Sequence, residues 1–255
     1  MLNVMLFLLP CGHGSNKSRS VLMEQATTKF WYLKNLEALR TLPEKEKLLI
    51  DEYSRMSTIS KGDVLYMQGA SDKRLYLLKK GAVKITRFTP EGKEVILDII
   101  KEGSLFGEMA VVDQHERDES AIVVDDGLIC ALPVKDFEKM VEMIPGLSIT
   151  ITKTLGERKR RLENKLVDLT FCTVEQRLAK TLLHLVESFG VPQKDGYKLD
   201  LKLTHKDYAD LVASTRETIT VTFHKLKNEG LIGMEGKHVV VSSKERMKTF
   251  AEKAC

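Results

Sequence analysis

The sequence LTHKDYADLVASTRETITVTFHKLKNEGLI, which runs from Leu203 to Ile232, contains two short helical patterns that meet at a tight joint. Thr204, followed three residues later by Asp207, marks the start of the first pattern. Ser214, followed by Glu217 at the same spacing, marks the start of the second. This spacing is typical of a capping box, in which two side chains satisfy free backbone N–H groups of the first helical turn. The stretch therefore predicts two consecutive helices.

Each predicted helix has one apolar face. In the first helix this face consists of Tyr208, Leu211 and Val212. In the second helix apolar residues recur at positions i, i+4 and i+7, namely Ile219, Phe223 and Leu226. We expect the two faces to pack against each other, which leaves the polar face of the second helix outside.

Two helices joined by about three or four residues form a helix-turn-helix, whose second helix lies in the major groove of DNA. Arg216 can reach a phosphate or pair with guanine, and Glu217 can accept a hydrogen bond from cytosine. Thr218 and Thr220 can bond phosphate oxygens. An ordinary helical hairpin with a solvated outer face is the alternative. The residues predicted to contact DNA are Thr204, Ser214, Thr215, Arg216, Glu217, Thr218, Thr220, Val221, His224 and Lys227.

The residues after the second helix favour DNA binding over a plain hairpin. Gly230 is suited to end the helix, and the following LIGMEGKHVVVSS has the pattern of two short strands that turn at Glu235 and Gly236. Such a hairpin beside the two helices would be a wing. The C-terminal third of the chain therefore predicts a winged helix-turn-helix.

A different pattern fills the first half of the chain beyond Ser60. Glycines separate short runs of alternating Val, Ile, Leu and Tyr, such as DVLYM, RLYLLKK, AVKITRF, EVILDII and AIVVDDGLICALP. Turn signals at this spacing predict an antiparallel sandwich or jelly roll of about eight strands. Barrels of this kind hold a small ligand in the mouth or between the sheets. The candidate segment is GSLFGEMAVVDQHER, in which Gly107 permits close backbone approach and Arg117 can neutralise an anion.

A long helix is predicted between these two regions, from about Gly146 to Leu169. Leu155, Leu162 and Leu169 lie seven residues apart, and Leu166 lies between the last two. A seam of this kind pairs two helices in parallel, and packing against the chain's own barrel is the alternative. The segment DLTFCT, from Asp168 to Thr173, is predicted to be the hinge, and the amphipathic helix that follows begins the DNA-binding domain.

Two motifs resemble those of one protein family. STRETITVTFHKLKNEGLI is similar to the recognition-helix signature of the CRP/FNR superfamily of bacterial transcription regulators, and FGEMA followed by an arginine resembles its phosphate-binding cassette. The resemblance extends from about Phe30 to Lys253. It implies an α+β fold with an N-terminal cyclic-nucleotide-binding-like β jelly roll, a long dimerisation helix and a C-terminal winged helix-turn-helix. The expected function is that of a homodimeric cytoplasmic regulator that binds a pseudo-palindromic double-stranded DNA operator and contacts RNA polymerase, without a membrane.

The predicted boundaries follow from this organisation. Residues 1–25 form a leader, 26–145 an effector-sensing β-roll domain, 146–170 the dimerisation helix and hinge, and 171–255 the DNA-binding domain. The leader begins with MLNVMLFLLP, which is too short to span a bilayer. The net charge of +4 does not by itself indicate nucleic acid, so DNA binding has to depend on local placement.

The resemblance also implies which residues act. In the family, the residues that match Arg216 and Glu217 contact operator phosphate and bases, while Val221 stands where a second arginine often reads a guanine. The predicted operator therefore differs from the common one. The seam Leu155, Leu162, Leu166 and Leu169 corresponds to the family's dimer interface. The candidate effector pocket comprises Gly107, Glu108, Met109, Ala110, Arg117, Asp118, Leu162 and Glu163.

Three departures from the family pattern disfavour cyclic AMP as the effector. The family's glutamate bonds the ribose hydroxyl and its arginine pairs with the cyclic phosphate, and these residues match Glu108 and Arg117. Asp118 and Glu119 stand where the family has small residues, so carboxylates would repel the phosphate or pair with Arg117. Leu162 and Glu163 replace a Thr-Ser pair that contacts the purine. Another effector, or none, is left open.

The cysteines and histidines suggest no metal site. Cys11, Cys130, Cys172 and Cys255 show no paired spacing, which suits a reducing cytoplasm. Cys130 matches a cysteine of iron-sulfur oxygen sensors in the family, but the clustered N-terminal cysteines of those sensors are missing, so a cluster is not expected. A haem- or redox-dependent sensor, with His115 as a haem ligand, and a cyclic-nucleotide-binding module without DNA binding are the alternatives. No motif typical of an enzyme is present.

Overall fold

A computed structural model describes residues 43–112 and 115–252 of the chain. The predicted leader, the helical pattern at Leu33, Leu36 and Leu39, and the cysteines Cys11 and Cys255 lie outside the described residues. In the described part of the chain, no helix has the length and apolar content that crossing a membrane requires.

The N-terminal domain is built around an antiparallel sheet of alternating apolar segments. Its elements are α1 (Glu44–Tyr53), β1 (Arg55–Ile59), β2 (Val64–Tyr66), β3 (Arg74–Phe88), β4 (Glu94–Ile100), β5 (Leu105–Phe106), α2 (Met109–Val112), β6 (Ser120–Pro133) and α3 (Val134–Met143). The strand order is β1-β6-β3-β4, with β2 also paired to β6 and β5 to β3. The predicted antiparallel β-roll is confirmed, with six described strands where about eight were predicted.

The smaller number of strands reflects the length of β3. The runs RLYLLKK and AVKITRF form one continuous strand of 15 residues, whose register against β6 shifts between Leu78 and Lys80 and again beyond it. Gly81 lies at this point with a φ of 95°, and a Cβ there would lie 2.7 Å from the carbonyl oxygen of Asp125. Because glycine alone permits this approach, the strand bends instead of ending.

The long helix and the helix after it are separated by only two residues. They are α4 (Gly146–Phe171) and α5 (Val174–Phe189). Most of the predicted hinge is therefore helical, and only Cys172 and Thr173 are extended. The Thr173 side chain accepts a hydrogen bond from the Gln176 N–H, and the Gln176 side chain accepts one from the Thr173 N–H. This capping box fixes where α5 begins.

The C-terminal domain combines three further helices with a small sheet. Its remaining elements are β7 (Gly190–Gln193), β8 (Gly196–Leu199), α6 (His205–Val212), α7 (Arg216–Asn228), β9 (Ile232–Glu235), β10 (His238–Val241) and α8 (Lys244–Glu252). The strand order is β7-β8-β10-β9, and the predicted wing is the β9–β10 hairpin, in which His238 is paired with Glu235. The β7–β8 hairpin was not predicted from the sequence.

The two domains share a hydrophobic cluster. Ala82, Ile96, Ile99 and Val124 of the β domain belong to the same cluster as the buried residues of the C-terminal domain. An ion pair between Lys84 of β3 and Asp207 of α6, with 3.1 Å between Nζ and Oδ1, crosses the same boundary. The helix-turn-helix is therefore docked on the β domain.

Candidate DNA-binding face and effector pocket

The first helix of the helix-turn-helix begins as predicted. The Thr204 Oγ1 accepts a hydrogen bond from the Asp207 N–H at 3.1 Å, and the Asp207 Oδ2 accepts one from the Thr204 N–H at 2.9 Å. This reciprocal pair is a capping box and satisfies two N–H groups at the start of α6. The predicted cap at Thr204 is confirmed.

The second helix begins one residue later than predicted. Thr215, not Ser214, is the N-cap, and its Oγ1 accepts a hydrogen bond from the Thr218 N–H at 3.2 Å. Ala213 has a left-handed φ of 52°, and the Ser214 N–H donates to the carbonyl oxygen of Ala209 at 2.9 Å. Ser214 therefore helps to end α6, and the predicted Ser214 capping box was wrong.

The apolar side of the second helix is buried as predicted. Ile219, Phe223 and Leu226 are 0%, 6% and 0% exposed. The Phe223 ring meets the Tyr208 ring edge-on at 5.0 Å between centroids. This packing fixes the rotation of α7 about its axis, so the opposite side of the helix faces away from the core.

Apart from Thr204, which caps α6, the predicted DNA-contacting residues lie on that opposite side of α7 or at its N-terminal edge. Val221, in the middle of the face, is 70% exposed. Ser214 and Thr220 are partly buried, whereas the exposed members are Thr204, Thr215, Arg216, Glu217, Thr218, Val221, His224 and Lys227. In the described part of the chain, the polar face of α7 is therefore open to solvent and available to a groove of DNA.

Thr220 is tied to a residue that was not predicted from the sequence. Its Oγ1 donates to the carbonyl oxygen of Arg216 at 2.9 Å and lies 2.9 Å from the Nδ1 of His205. The hydroxyl proton is thus already used, so the hydroxyl can serve a phosphate oxygen only after it breaks that bond. The His205 ring also stacks on Phe223 at 4.9 Å between centroids.

His205 lies in a positively charged setting. Partial burial is the main cause that lowers its pKa, and the nearby charges of Arg216 and His224 lower it further. Fifteen residues separate His205 from Thr220, so neither helical spacing nor a local motif links them. Only the crossing of α6 and α7 brings this imidazole to the DNA-binding face.

The arginine of the effector pocket is bound within the chain. Arg117 is 6% exposed, and its guanidinium donates to the carbonyl oxygen of Gly107 at 2.9 Å and to that of Arg74 at 2.5 Å. The same group lies 3.4 Å from the Asp72 Oδ2 and 4.2 Å from the centre of the Tyr66 ring. Asp72 therefore supplies a carboxylate to Arg117, and this partner was not predicted.

Neither Asp118 nor Glu119 forms the ion pair with Arg117 that the sequence left open as an alternative to repelling a phosphate. The Asp118 side chain is 76% exposed and pairs with Arg87, at 3.5 Å. The Glu119 Oε1 accepts a hydrogen bond from the Tyr66 hydroxyl at 3.0 Å. Arg117 and Glu119 thus lie inside the pocket, whereas Asp118 lies at the surface, on the bend that precedes β6.

A second arginine enters the pocket from the long helix. Glu108 is fully buried, and its Oε1 accepts a hydrogen bond from the Arg158 Nη1 at 2.6 Å. The same Nη1 lies 3.7 Å from the Glu119 Oε1. Among the described residues, the Glu108 Oε2, the Arg117 Nε and the Arg158 Nη2 are buried without a hydrogen-bond partner. The pocket thus has two guanidiniums and three carboxylates, with Asp72 as the third.

The other predicted pocket residues divide into two groups. Gly107 lies against Arg117 with a φ of 73°, where a Cβ would be 3.2 Å from Nη1, and Ala110 packs on the core beneath α3. Met109 is 40% exposed. Leu162 and Glu163 lie on an exposed part of α4, where Glu163 pairs with Lys159. The protomer by itself therefore brings together Gly107, Glu108 and Arg117, but not Asp118, Leu162 or Glu163.

The leucine seam of the long helix changes role along its length. Leu155 packs against the core beneath α3, as the barrel-packing alternative predicted. Leu162, Leu166 and Leu169 are 48%, 66% and 39% exposed. The second half of α4 therefore presents an apolar stripe to solvent.

The histidines and cysteines form no recognisable metal centre in the described part of the chain, since no group of three or more His, Cys, Asp and Glu side chains there is placed to hold an ion. Cys130 is a free thiol, 2% exposed, in the apolar cluster beneath α3. This setting is that of a buried core cysteine.

Two family models match the chain. One, described as a cyclic nucleotide-binding domain, matches residues 56–143, and the other, described as a Crp-like helix-turn-helix domain, matches residues 176–250. A CRP-like cAMP-activated global transcriptional regulator from Mycobacterium tuberculosis is 32% identical over 187 residues, which cover 73% of this chain and 84% of that protein. A global nitrogen regulator from Synechocystis sp. is 29% identical over 188 residues, with the same shares covered.

Solved structures show the same fold. A CRP/FNR family transcriptional regulator from Thermus thermophilus is 26% identical, with a TM-score of 0.64 over 79% of this chain and 100% of that one. A CooA mutant from Carboxydothermus hydrogenoformans is 24% identical, with a TM-score of 0.69 over 86% of this chain and 96% of that one. These similarities confirm the predicted order of a β domain followed by a helix-turn-helix domain.

Proposed function

The chain belongs to the CRP/FNR superfamily of DNA-binding transcription regulators, and we propose that it binds a pseudo-palindromic operator as a homodimer that is not gated by cyclic AMP. The observation that carries the DNA-binding mode is the rotation of α7. Its apolar side is held by Tyr208 and the core, and its polar side, from Arg216 to Lys227, is exposed. Each protomer would place this side in one major groove.

The homodimer is supported by the apolar stripe on α4. Leu162, Leu166 and Leu169 are exposed on a helix of 26 residues, at a spacing suited to a parallel pair of helices. A dimer of this kind has a two-fold axis. The operator would therefore contain two inverted half-sites, separated by about 10 to 10.5 base pairs or a multiple of that distance.

Operator choice would depend on the N-terminal half of α7. Arg216 and Glu217 are exposed at its first turn, where they can reach a phosphate and base edges. Val221 lies one turn later and presents an apolar side chain, which suits the methyl group of thymine. The operator would thus have a thymine where a longer, charged side chain would select guanine.

The carboxylates of the pocket argue against cyclic AMP as the effector. Asp72 already lies against Arg117, and Glu119 and Glu108 both face Arg158, so a phosphate would meet three carboxylates. Displacing them would cost free energy, because like charges repel strongly where water is excluded. The relative from Mycobacterium tuberculosis is named as cAMP-activated, whereas the relative from Synechocystis is named for nitrogen regulation. A different effector, or none, would suit this pocket.

The same proposal places the protein in the cytoplasm and makes RNA polymerase its protein partner. A regulator of transcription acts where the chromosome is, and its bound dimer has to help or block the polymerase at the promoter. The helix-turn-helix match argues against a regulatory module that does not bind DNA.

The experiment is footprinting of purified protein on a library of DNA fragments at moderate salt, followed by affinity measurements on the protected site. We expect protection of two half-sites on one face of the duplex. Arg216→Ala should weaken binding by about 1 to 3 kcal/mol if Arg216 reads a base, and this loss should vary among operator variants. A matched control is Lys139→Ala, because Lys139 is an exposed basic residue of α3 in the β domain, where it pairs with Asp136. Absence of any protected site would refute the proposal.

Calorimetry tests the effector. Titration with cyclic AMP should give no binding heat, and operator affinity should be the same with and without the nucleotide. Tight binding that also raises operator affinity would overturn this part of the proposal and leave the DNA-binding mode intact.

A further inference from the structure

We propose that Glu119 is a proton-operated switch, through which the pH controls how firmly the β domain holds the long helix α4 and thereby the affinity for DNA. This inference rests on the proposed pocket and deepens its regulation, with the proton as the ligand.

The inference depends on the Arg158 guanidinium, which contacts the carboxylates of both Glu108 and Glu119. The Arg158 Nη1 lies 2.6 Å from the Glu108 Oε1 and 3.7 Å from the Glu119 Oε1. The Glu108 side chain is fully buried, and those of Arg158 and Glu119 are each 13% exposed. One positive charge therefore faces two negative charges in a site with little water, where an uncompensated charge is costly. Uptake of one proton would make the group of three neutral.

Glu119 is the carboxylate that we expect to take the proton. Its Oε1 lies 3.7 Å from the Arg158 Nη1, whereas the Glu108 Oε1 lies 2.6 Å from the same atom. The hydrogen-bond donor to the Glu119 Oε1 is the neutral hydroxyl of Tyr66. A buried carboxylate with a long contact to its cation and a neutral donor is more easily protonated than one with a close ion pair.

The charged and titratable groups around Glu119 come from each element packed against it. Tyr66 faces it from β2, Glu108 from the loop before α2, Arg117 from its own segment and Arg158 from α4. Beyond them, Asp72 compensates Arg117, and Asp98 of β4 pairs with Arg161 of α4 at 3.0 Å. Burial is the main cause that raises the pKa of Glu119, and Glu108 adds to it, while Arg158, Tyr66 and Arg117 act in the opposite direction without cancelling the rise.

The connection to DNA runs through α4. Arg158 is a residue of this helix, and only Cys172 and Thr173 separate its end from α5, which begins the DNA-binding domain. When Glu119 is protonated, Arg158 serves Glu108 alone and the contact between β domain and helix is compensated. When Glu119 ionises, its buried charge is only partly compensated, because the single guanidinium of Arg158 already serves Glu108, and opening of the contact would return this carboxylate to water. The proton thus has different affinities for two states of the helix, which is the condition for regulation.

Because the pKa of Glu119 is raised, its contribution to the free energy of unfolding should fall as the pH rises. A carboxyl group whose pKa is higher in the folded than in the unfolded protein contributes stability that is fully present below the unfolded pKa. That contribution is lost as the pH rises through the folded pKa. The wild-type protein should therefore lose stability over this interval, and a variant with a neutral residue at position 119 should not.

The experiment compares wild type, Glu119→Gln and Asp118→Asn in thermal unfolding and operator binding from about pH 5 to 8. Glutamine has the shape of the protonated acid, whereas Asp118 is the neighbouring carboxylate that points to solvent. We expect wild type and Asp118→Asn to share one pH profile of stability and an operator affinity that changes by about fivefold or more. Glu119→Gln should lack this part of both profiles and keep only the change of operator affinity with pH that other groups, such as His205, supply.

Tyr66→Phe is a second variant, which tests the inference even if Glu119→Gln does not fold. Tyr66→Phe removes the donor that stabilises the ionised Glu119 and leaves the aromatic ring over Arg117. The loss of stability should then move to higher pH. Profiles of Glu119→Gln or Tyr66→Phe that match the wild type would overturn the inference, as would altered stability with unaltered operator affinity. Wild-type protein that binds no operator at any pH would instead refute the proposed function.

Discussion

The carboxylate of Asp207 is shared between the ammonium group of Lys84 and the cap of α6. Its Oδ1 lies 3.1 Å from the Lys84 Nζ in the β domain, and its Oδ2 accepts the hydrogen bond from the Thr204 N–H. Burial raises the pKa of Asp207, but the hydrogen bonds from Thr204 and the charge of Lys84 outweigh burial and lower it overall. One side chain thus both starts the helix-turn-helix and fastens it to the sheet.

Removal of Lys84 should weaken this attachment. Lys84→Met leaves Asp207 and Glu94 without their half-buried cation, so we expect the free energy of unfolding to fall by about 1 to 3 kcal/mol. Urea denaturation would measure it. The control is Lys139→Met, whose side chain is 65% exposed and pairs with Asp136 of the same helix, and which should change the free energy by less than about 0.5 kcal/mol. Equal effects of both substitutions would contradict the role of Lys84.

The attachment through Asp207 should contribute less to stability at acidic pH. Because the pKa of Asp207 is lower in the folded protein, its contribution to stability is present above the unfolded value of about 3.9 and is lost as the pH falls through the folded value. Lys84→Met should therefore flatten the acid side of the stability profile, opposite to the side that Glu119 affects.

His205 should couple DNA binding to protons. Burial, Arg216 and His224 lower its pKa in the free protein, whereas DNA phosphates nearby would favour the charged imidazole. Binding would then take up a proton, and operator affinity should rise as the pH falls. His205→Gln should reduce the slope of affinity against pH. An unchanged slope in this variant would show that other groups supply the proton linkage.

Val221 should determine one base of each half-site. In Val221→Arg the new guanidinium can pair with guanine, so we expect the preference at that position to move from thymine to guanine by about 1 to 3 kcal/mol. Binding to an operator series with each base at that position would measure the change. Val221→Ala is the control, because it shortens the side chain without adding a donor. A preference that stays constant in Val221→Arg would place this residue outside the base-reading surface.

The apolar stripe of α4 should hold the dimer together. A charge in the middle of the stripe, as in Leu166→Glu, should convert the dimer to monomers at micromolar concentration and abolish cooperative operator binding. Sedimentation measures the mass. Val191→Glu is the control, since Val191 is also exposed and apolar but lies on β7. A dimer that survives the change at Leu166 would require a different interface.

Local signals in the sequence were sufficient where the structure depends on neighbouring residues. The cap at Thr204 and the wing about Gly236 require only three or four residues to agree, and both were predicted. The start of α7 was misplaced because the left-handed conformation falls on Ala213, a residue type that does not signal it.

Contacts between distant segments were not predictable in the same way. Arg158 is one of several basic residues on α4, and nothing in their spacing distinguishes the one that enters the pocket. Asp72 is 45 residues away from the arginine that it pairs with. Asp118 and Glu119 lie on a bend just before β6, and a bend has no regular side-chain period from which their directions could be predicted.

The two-residue joint at Cys172 and Thr173 limits how this chain can change in length. If one residue were inserted into α4 after Arg158, everything downstream would turn by about 100° and advance by about 1.5 Å. The α7 helices of the two protomers would then no longer be oriented to enter their two major grooves. Only Cys172 and Thr173 lie between α4 and α5, so no long linker could compensate for this rotation. The residue count of this helix is therefore more tightly constrained than the identity of most of its side chains.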